Sequence, residues 1–223
     1  MRRRADRVDA VSDWGTRMTR SGTAFPDVTL AIIAGGQGRR LAGVPKGLLS
    51  VEGRTVLERL LLLAPRFGDV LLVANAPEPY ARFGLRTVAD VVSGKGAPGG
   101  VHAALMAART PWVVAVACDM PFIAPEVIRV LLAARGEDVD AVCFEVGGRV
   151  EPLLAAYRSS LAPAWGDALA EDPSMRDLLF RARTMLLPEA SLRTVDPTLR
   201  ALANVNTPQD LERYGVTLPP RRG

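Results

Sequence analysis

The sequence predicts an α/β fold, a mostly parallel sheet with helices on both faces, in a single domain. Three observations carry that expectation. Residues 28–34, 70–74 and 112–117 are near-continuous apolar runs, as strands buried on both faces of a parallel sheet require. Segments with apolar residues at helical spacing separate these runs at short intervals. Glycine or acidic residues follow the strands, so polar chemistry gathers at their carboxyl ends, where sheets of this kind bind ligands.

Taken in order, residues 28–34 form the first strand and break into glycine at Gly35. A helix is expected over 55–63, where Leu57, Leu60 and Leu61 share one face. The next strand, 70–74, is ended by Asn75-Ala76-Pro77, and a short strand at 86–88 leads to Asp90. A Gly/Pro-rich loop at 93–100 opens a helix over 101–108, before the β-prone run 112–117. Pro125 suits the first turn of a helix over 125–134. Strands at 141–145 and 152–157 read as a hairpin-like excursion around Gly147-Gly148. Helices at 161–170 and 175–183, a last strand at 192–195, and a helix over 207–214 with Thr207 as N-cap and Pro208 behind it complete the pattern. Residues 1–27, rich in Arg but without an apolar core segment, are expected to be a disordered extension rather than a secretory signal. The domain is expected over 28–216, with 217–223 as a tail and no internal repeat.

Composition narrows the function classes. With 223 residues and 48% hydrophobic content the chain can bury a full core. No apolar run approaches the roughly 20 residues that span a bilayer, so no membrane association and a cytoplasmic location are expected. The formal charge of +4 resides at the ends: the first 27 residues hold six Arg against four Asp, and Arg221 and Arg222 lie near the other terminus. The remainder is neutral and lacks the broad basic footprint of a nucleic-acid binder. Cys118 and Cys143 fall at or in buried strands, and one His, His102, argues against a zinc site.

Four constellations carry chemistry. In the first, Ala34-Gly35-Gly36-Gln37-Gly38-Arg39-Arg40 leads to Pro45-Lys46: glycines bring backbone N–H groups close to an anion, and Arg39, Arg40 and Lys46 neutralise it. The spacing fits neither the P-loop nor the dinucleotide fingerprint. Only two of the 28 basic residues are lysines, Lys46 and Lys95, both in Gly/Pro-rich loops; a compact ammonium there suits phosphate. The second constellation is the 93–100 loop, either the opposite wall of the site, with Lys95 facing substrate, or a surface connection. The third is Cys118-Asp119-Met120-Pro121, where a strand delivers a carboxylate that can hold Mg²⁺ beside phosphates or cap the following turn. The fourth is Asn204-Val205-Asn206: two amides two residues apart point the same way in extended chain, though Asn206 also suits a loop before Thr207. Asp90 can bind nucleotide or merely end its strand.

Together with Lys46-Gly47-Leu48-Leu49, Ala97-Pro98-Gly99-Gly100, Cys118 to Phe122, Glu151-Pro152-Leu153 and Asn204 to Pro208, the first loop resembles the molybdenum cofactor guanylyltransferase family, over about residues 28–214. The resemblance implies a Rossmann-like nucleotidyltransferase that joins GMP from GTP to molybdopterin and releases pyrophosphate. It further implies that Gly35, Gly36, Gly38 and Arg40 hold the triphosphate, with Ala34, Gln37 and Arg39 of the same loop counted among the nucleotide-binding residues. Lys46, Arg40 and Asp119 would act in catalysis, Asp90 at the guanine nucleotide, Asp119 on Mg²⁺, and Asn204, Asn206 and Lys95 near the second substrate. Molybdoenzyme apoproteins and other cofactor-synthesis proteins are its implied partners. Pro45-Lys46 is also similar to cytidylyltransferases and sugar-phosphate nucleotidyltransferases of the same fold, so transfer from CTP stays open. A non-catalytic nucleotide-binding protein that delivers cofactor is a further alternative.

Overall fold

The computed structural model describes residues 24–35 and 43–219. Residues 1–23 of the expected N-terminal extension, most of the glycine loop (residues 36–40 among its candidates) and the last four residues lie outside the described residues.

Strand β1 (Phe25–Ile33) is central and its second half is fully inside. It is flanked in parallel by β4 (Phe67–Val73) and β6 (Trp112–Ala117), with Ile33 in register with Val73 and Ala117. The short β2 (Ser50–Val51) and β3 (Arg54–Thr55) form a tight hairpin through Glu52 and Gly53, both at positive φ. Beyond β4 lies β5 (Thr87–Val88), and on the other side β8 (Arg149–Arg158), β7 (Ala141–Val146) and β9 (Thr184–Pro188) complete the order β5-β4-β1-β6-β8-β7-β9. Only β8 among these runs antiparallel to its neighbours.

Helices cover both faces, as the alternation predicts. On one face α1 (Val56–Leu61), α3 (Pro125–Ala133) and α6 (Glu189–Arg193) bury Leu57, Leu60, Ile128, Leu131 and Leu192. On the other, α2 (Gly96–Ala107), α4 (Ala162–Ala168) and α5 (Met175–Arg181) bury Val101, Leu105, Trp165 and Leu178. The last helix, α7 (Pro208–Tyr214), is capped by Thr207, whose side chain accepts from the Asp210 N–H while Asp210 accepts from the Thr207 N–H. Strand β10 (Val216–Thr217) then pairs with β2, the strand that follows the helical turn Lys46–Leu48. No helix among the described residues is long and apolar enough to cross a membrane.

Several expected elements differ. The first strand begins at Phe25, before the apolar run, with Asp27 paired to Arg135 at 2.7 Å. Residues 192–195 are not a strand: Glu189 and Arg193, 2.7 Å apart at i,i+4, favour a short helix that ends there. The strand in that part of the chain is instead β9, parallel to β7. The hairpin of β7 and β8 is no excursion, because β8 inserts between β6 and β7 in the main sheet. Helix α2 starts at Gly96, so the glycines and Pro98 of the second loop form its first turns rather than precede it.

The chain leaves β1 toward β4 on one side and returns through α2 to β6 on the other. That reversal opens a crevice between the carboxyl ends of β1 and β6, where a ligand can enter.

Candidate functional site

A cavity of about 680 Å³ occupies the crevice. Its floor is the sheet's carboxyl edge: Gly35 after β1, Asn75 after β4, Asp90 after β5, and Cys118 with Asp119 after β6. The backbone extends the sheet there, since Ala34 N–H donates to Val73 O at 2.8 Å and Cys118 N–H to Ile33 O at 3.1 Å. The first turn of α2 supplies one wall through Gly96 and Ala97. A helix start presents unpaired N–H groups and a positive dipole end to an anion.

The two glycines that follow in α2 have a steric reason. A Cβ on Gly100 would stand 3.0 Å from Ile33 Cγ2 and 3.7 Å from Asp90 Oδ1, and one on Gly99 would stand 3.2 Å from Val92 O. Side chains there would push the helix off the sheet edge that it shares with Asp90.

At the centre, Lys46 Nζ donates to Asp119 Oδ2 at 2.8 Å and also to Asn206 Oδ1. Both ends of the ion pair are largely enclosed, with side-chain exposures of 18% and 14%. Three distant segments are thus tied at one ammonium. The Val205 N–H donates to Asp119 O at 3.0 Å, so the segment bearing both asparagines is stitched to the residue after β6. The Asn206 N–H donates to Asp210 Oδ2 at 2.9 Å, which fixes Asn206 from the helix-cap side. Gly47 packs on the Tyr80 ring, where a Cβ would meet Cε1 at 3.0 Å, so the Lys46 turn lies directly over a buried aromatic.

Asp119 Oδ1 is buried without a hydrogen-bond partner among the described residues. A carboxylate oxygen desolvated and unpaired is costly unless something positive meets it. No group of three or more His, Cys, Asp or Glu side chains gathers for a metal among the described residues. The donor set therefore fits a cation held by one carboxylate with phosphate and water oxygens, as Mg²⁺ accepts, rather than a protein cage. Cys118 beside it is inert: burial, then the Asp119 charge, push its thiol up to about 12 despite the opposing charge of Lys46.

At the β5 end, Asn75 Nδ2 donates to Asp90 Oδ2 at 2.8 Å, and the Asp90 N–H donates to Asn75 Oδ1 at 2.8 Å. This reciprocal pair holds the Asp90 carboxylate toward the cavity. At the β8 end, Glu151 lines the cavity, half-buried, its carboxyl raised above the usual range by burial with Arg149 opposing.

A chain with this arrangement matches the MobA-like NTP transferase domain over residues 30–185. The chain belongs to the MobA-like NTP transferase family. A molybdenum cofactor guanylyltransferase from Desulfosudis oleivorans is 30% identical over 188 residues, covering 83% of this chain and 93% of that protein. A "Probable molybdenum cofactor guanylyltransferase" from Pelotomaculum thermopropionicum is 35% identical over 190 residues, covering 84% and 92%. The crystal structure of molybdopterin-guanine dinucleotide biosynthesis protein A from Archaeoglobus fulgidus superposes with TM-score 0.71 at 30% identity, covering 83% of this chain and 96% of that one.

Within the MobA-like frame, the structure brings Lys46, Asp119 and Asn206 into direct contact, and sets Gly35, Asp90 and Asn204 around the same cavity. Ala34, between the lining residues Ile33 and Gly35, is hydrogen-bonded to β4. Asn204 Nδ2 donates to Leu202 O at 3.1 Å. Lys95 is placed differently: its Nζ donates to Asp172 Oδ1 at 3.2 Å, while Gly94 and Gly96 on either side line the cavity. Gly36, Gln37, Gly38, Arg39 and Arg40 lie outside the described residues. Sequence reasoning missed Asn75, whose place just past an apolar strand was the available signal.

Proposed function

We propose that the protein transfers the GMP part of GTP to the terminal phosphate of molybdopterin and releases pyrophosphate, with Mg²⁺ held at Asp119. The observation that carries this reading is the Lys46–Asp119–Asn206 junction at a cavity of about 680 Å³ along the sheet's carboxyl edge, in a chain of the MobA-like family.

In the reaction an oxygen of the acceptor phosphate forms a bond to the α-phosphorus of GTP. The bond from that phosphorus to the bridging oxygen breaks, and the electron pair leaves with pyrophosphate. No covalent bond to the protein is needed, so the residues position the reactants and neutralise charge. Lys46 is preset for charge neutralisation, because Asp119 Oδ2 and Asn206 Oδ1 fix its ammonium before substrate arrives, which avoids reorganisation at the moment of transfer. The α2 start, with Gly96 and Ala97 at the cavity wall, adds backbone N–H groups toward a phosphate. Asp90, oriented by Asn75, can accept from the N–H and amino groups of guanine, a donor pair that cytosine does not offer in the same pattern. Bound at Asp119 Oδ1, Mg²⁺ would offset the negative charge of the phosphate oxygens.

The test is pyrophosphate release from each of the four NTPs with Mg²⁺, with and without molybdenum-loaded molybdopterin. Release from GTP that requires the pterin supports the proposal. Release from CTP instead moves the specificity to cytidylyl transfer, and tight GTP binding without release points to a delivery protein.

A further inference from the structure

The cavity has two carboxylates at opposite ends, and only one of them already has a partner. Asp90, beyond β5, is held by Asn75. Glu151 stands at the other end, on the one antiparallel strand, whose first residues therefore lie at the carboxyl edge of its neighbours. The register pairs Val116 with Leu154, so Leu153 falls opposite Ala117, the last residue of β6, while Pro152 and Glu151 extend past it, and all three line the cavity. From β5 to β8 the order β5-β4-β1-β6-β8 crosses four strand intervals. At about 4.8 Å each, the strand that leads to Asp90 and the strand that bears Glu151 stand roughly 19 Å apart along the edge, with Asp119, just past β6, between them and one interval from β8. Along that edge two heterocycles joined through a diphosphate can lie on either side of Asp119.

We propose that Glu151 recognises the 2-amino-4-oxopyrimidine edge of the pterin acceptor, as the counterpart at the β8 end of Asp90 at the guanine end. The inference rests on the guanylyltransferase reading above.

Guanine and pterin share that edge: a ring N–H beside an exocyclic amino group, two parallel donors matched to the two oxygens of a carboxylate. The surroundings of Glu151 fit such a guest. Met120, Pro152 and Leu153 add apolar surface to the same cavity for a ring face, and Asn204 also lines it. Among the described residues Arg149 is the charged neighbour that acts on Glu151, whose half-buried carboxyl makes no side-chain hydrogen bond there and is held above the usual range by partial burial. Two N–H donors from a ligand would relieve that cost, whereas a ligand without them would leave it in place. A site built on a partly desolvated acceptor favours ligands that carry the matching donors over analogues that lack them.

The experiment measures steady-state constants for wild type and Glu151→Gln with GTP and molybdopterin, and uses pterin and lumazine as inhibitors competing with molybdopterin. Lumazine carries an oxygen where pterin has the 2-amino group. The expected result is a rise of about 10- to 100-fold in the molybdopterin KM of Glu151→Gln, with the GTP KM changed less than about 2-fold. Wild type should be inhibited better by pterin than by lumazine, and the variant should lose that preference. An unchanged molybdopterin KM, or equal inhibition of wild type by the two compounds, overturns the proposal. So does an altered Mg²⁺ requirement in place of a KM effect, since Glu151 would then serve the metal. A wild type that releases no pyrophosphate with GTP and molybdopterin refutes the parent reading instead, and is recognised before any variant is compared.

Discussion

The two lysines of this chain sit in similar loops and have different surroundings. Lys46 lies in a helical turn packed over Tyr80, and its ammonium meets a carboxylate from β6 and an amide from the segment before α7. Lys95 lies just before α2 and reaches across to Asp172, a side chain 81% exposed. Residue type and loop composition are the same in both cases. What separates them is the number of distant elements that converge on each charge, and how far water is excluded there. An enclosed pair with a third partner is a preset electrostatic device, while a pair with one exposed partner gains little.

Substitutions at these loops sharpen the contrast, beginning with the largest effect. Lys46→Met should lower turnover by about 10²- to 10³-fold in the pyrophosphate assay, with a smaller change in nucleotide binding. Asp119→Asn should cost about as much, and the Lys46→Met/Asp119→Asn double variant should be little worse than either alone. Additive losses would mean that the two act separately. Asn206→Ala removes one of two acceptors from the Lys46 ammonium and should reduce kcat by about 10-fold, because Asp119 still orients it. Thr207→Ala removes the α7 cap and should destabilise the fold by about 1 kcal/mol in denaturant titration. Lys95→Met should change kcat by less than about 3-fold and stability by less than about 1 kcal/mol. A loss at Lys95 comparable to that at Lys46 would show that its ammonium leaves Asp172 for a substrate during turnover.

Acid supplies another test of how Asn206 is held. The Asp210 carboxyl lies below its ordinary value of 3.8, chiefly because the Asn206 N–H donates to it, with Thr207 adding its hydroxyl and N–H. A carboxyl lowered by folding contributes stability that is complete above its unfolded value and lost as pH falls through the folded one. Asp210→Asn should therefore flatten the fall of stability below about pH 4, measured by thermal unfolding across an acid series.

Much of the molecule was legible in the order of its residues. The runs ending at Ile33, Val73 and Ala117 became adjacent parallel strands because their apolar continuity leaves no face for water. Asp119 was legible for the same reason: a charge that ends such a run is delivered to the sheet edge. Asn75 was not, since an Asn before Ala-Pro reads as turn chemistry, and only the folded sheet brings Asp90 beside it. Strand β9 was obscured by its half-buried edge position and terminal Pro188, and the apolar Leu192 nearby suggested a strand where local pairing of Glu189 with Arg193 makes a helix. The insertion of β8 between β6 and β7 is a matter of long-range register that neither strand carries in its own pattern.

The bond from Lys46 to Asn206 joins residues 160 positions apart. On a ribosome adding about 5 to 20 residues each second, Asn206 is made roughly 8 to 32 seconds after Lys46. Throughout that interval the nascent chain has the lysine without its full set of partners. The Lys46 junction is therefore completed late in synthesis, and a chain cut short before the asparagine pair, even with the whole matched domain present, would leave the ribosome without it.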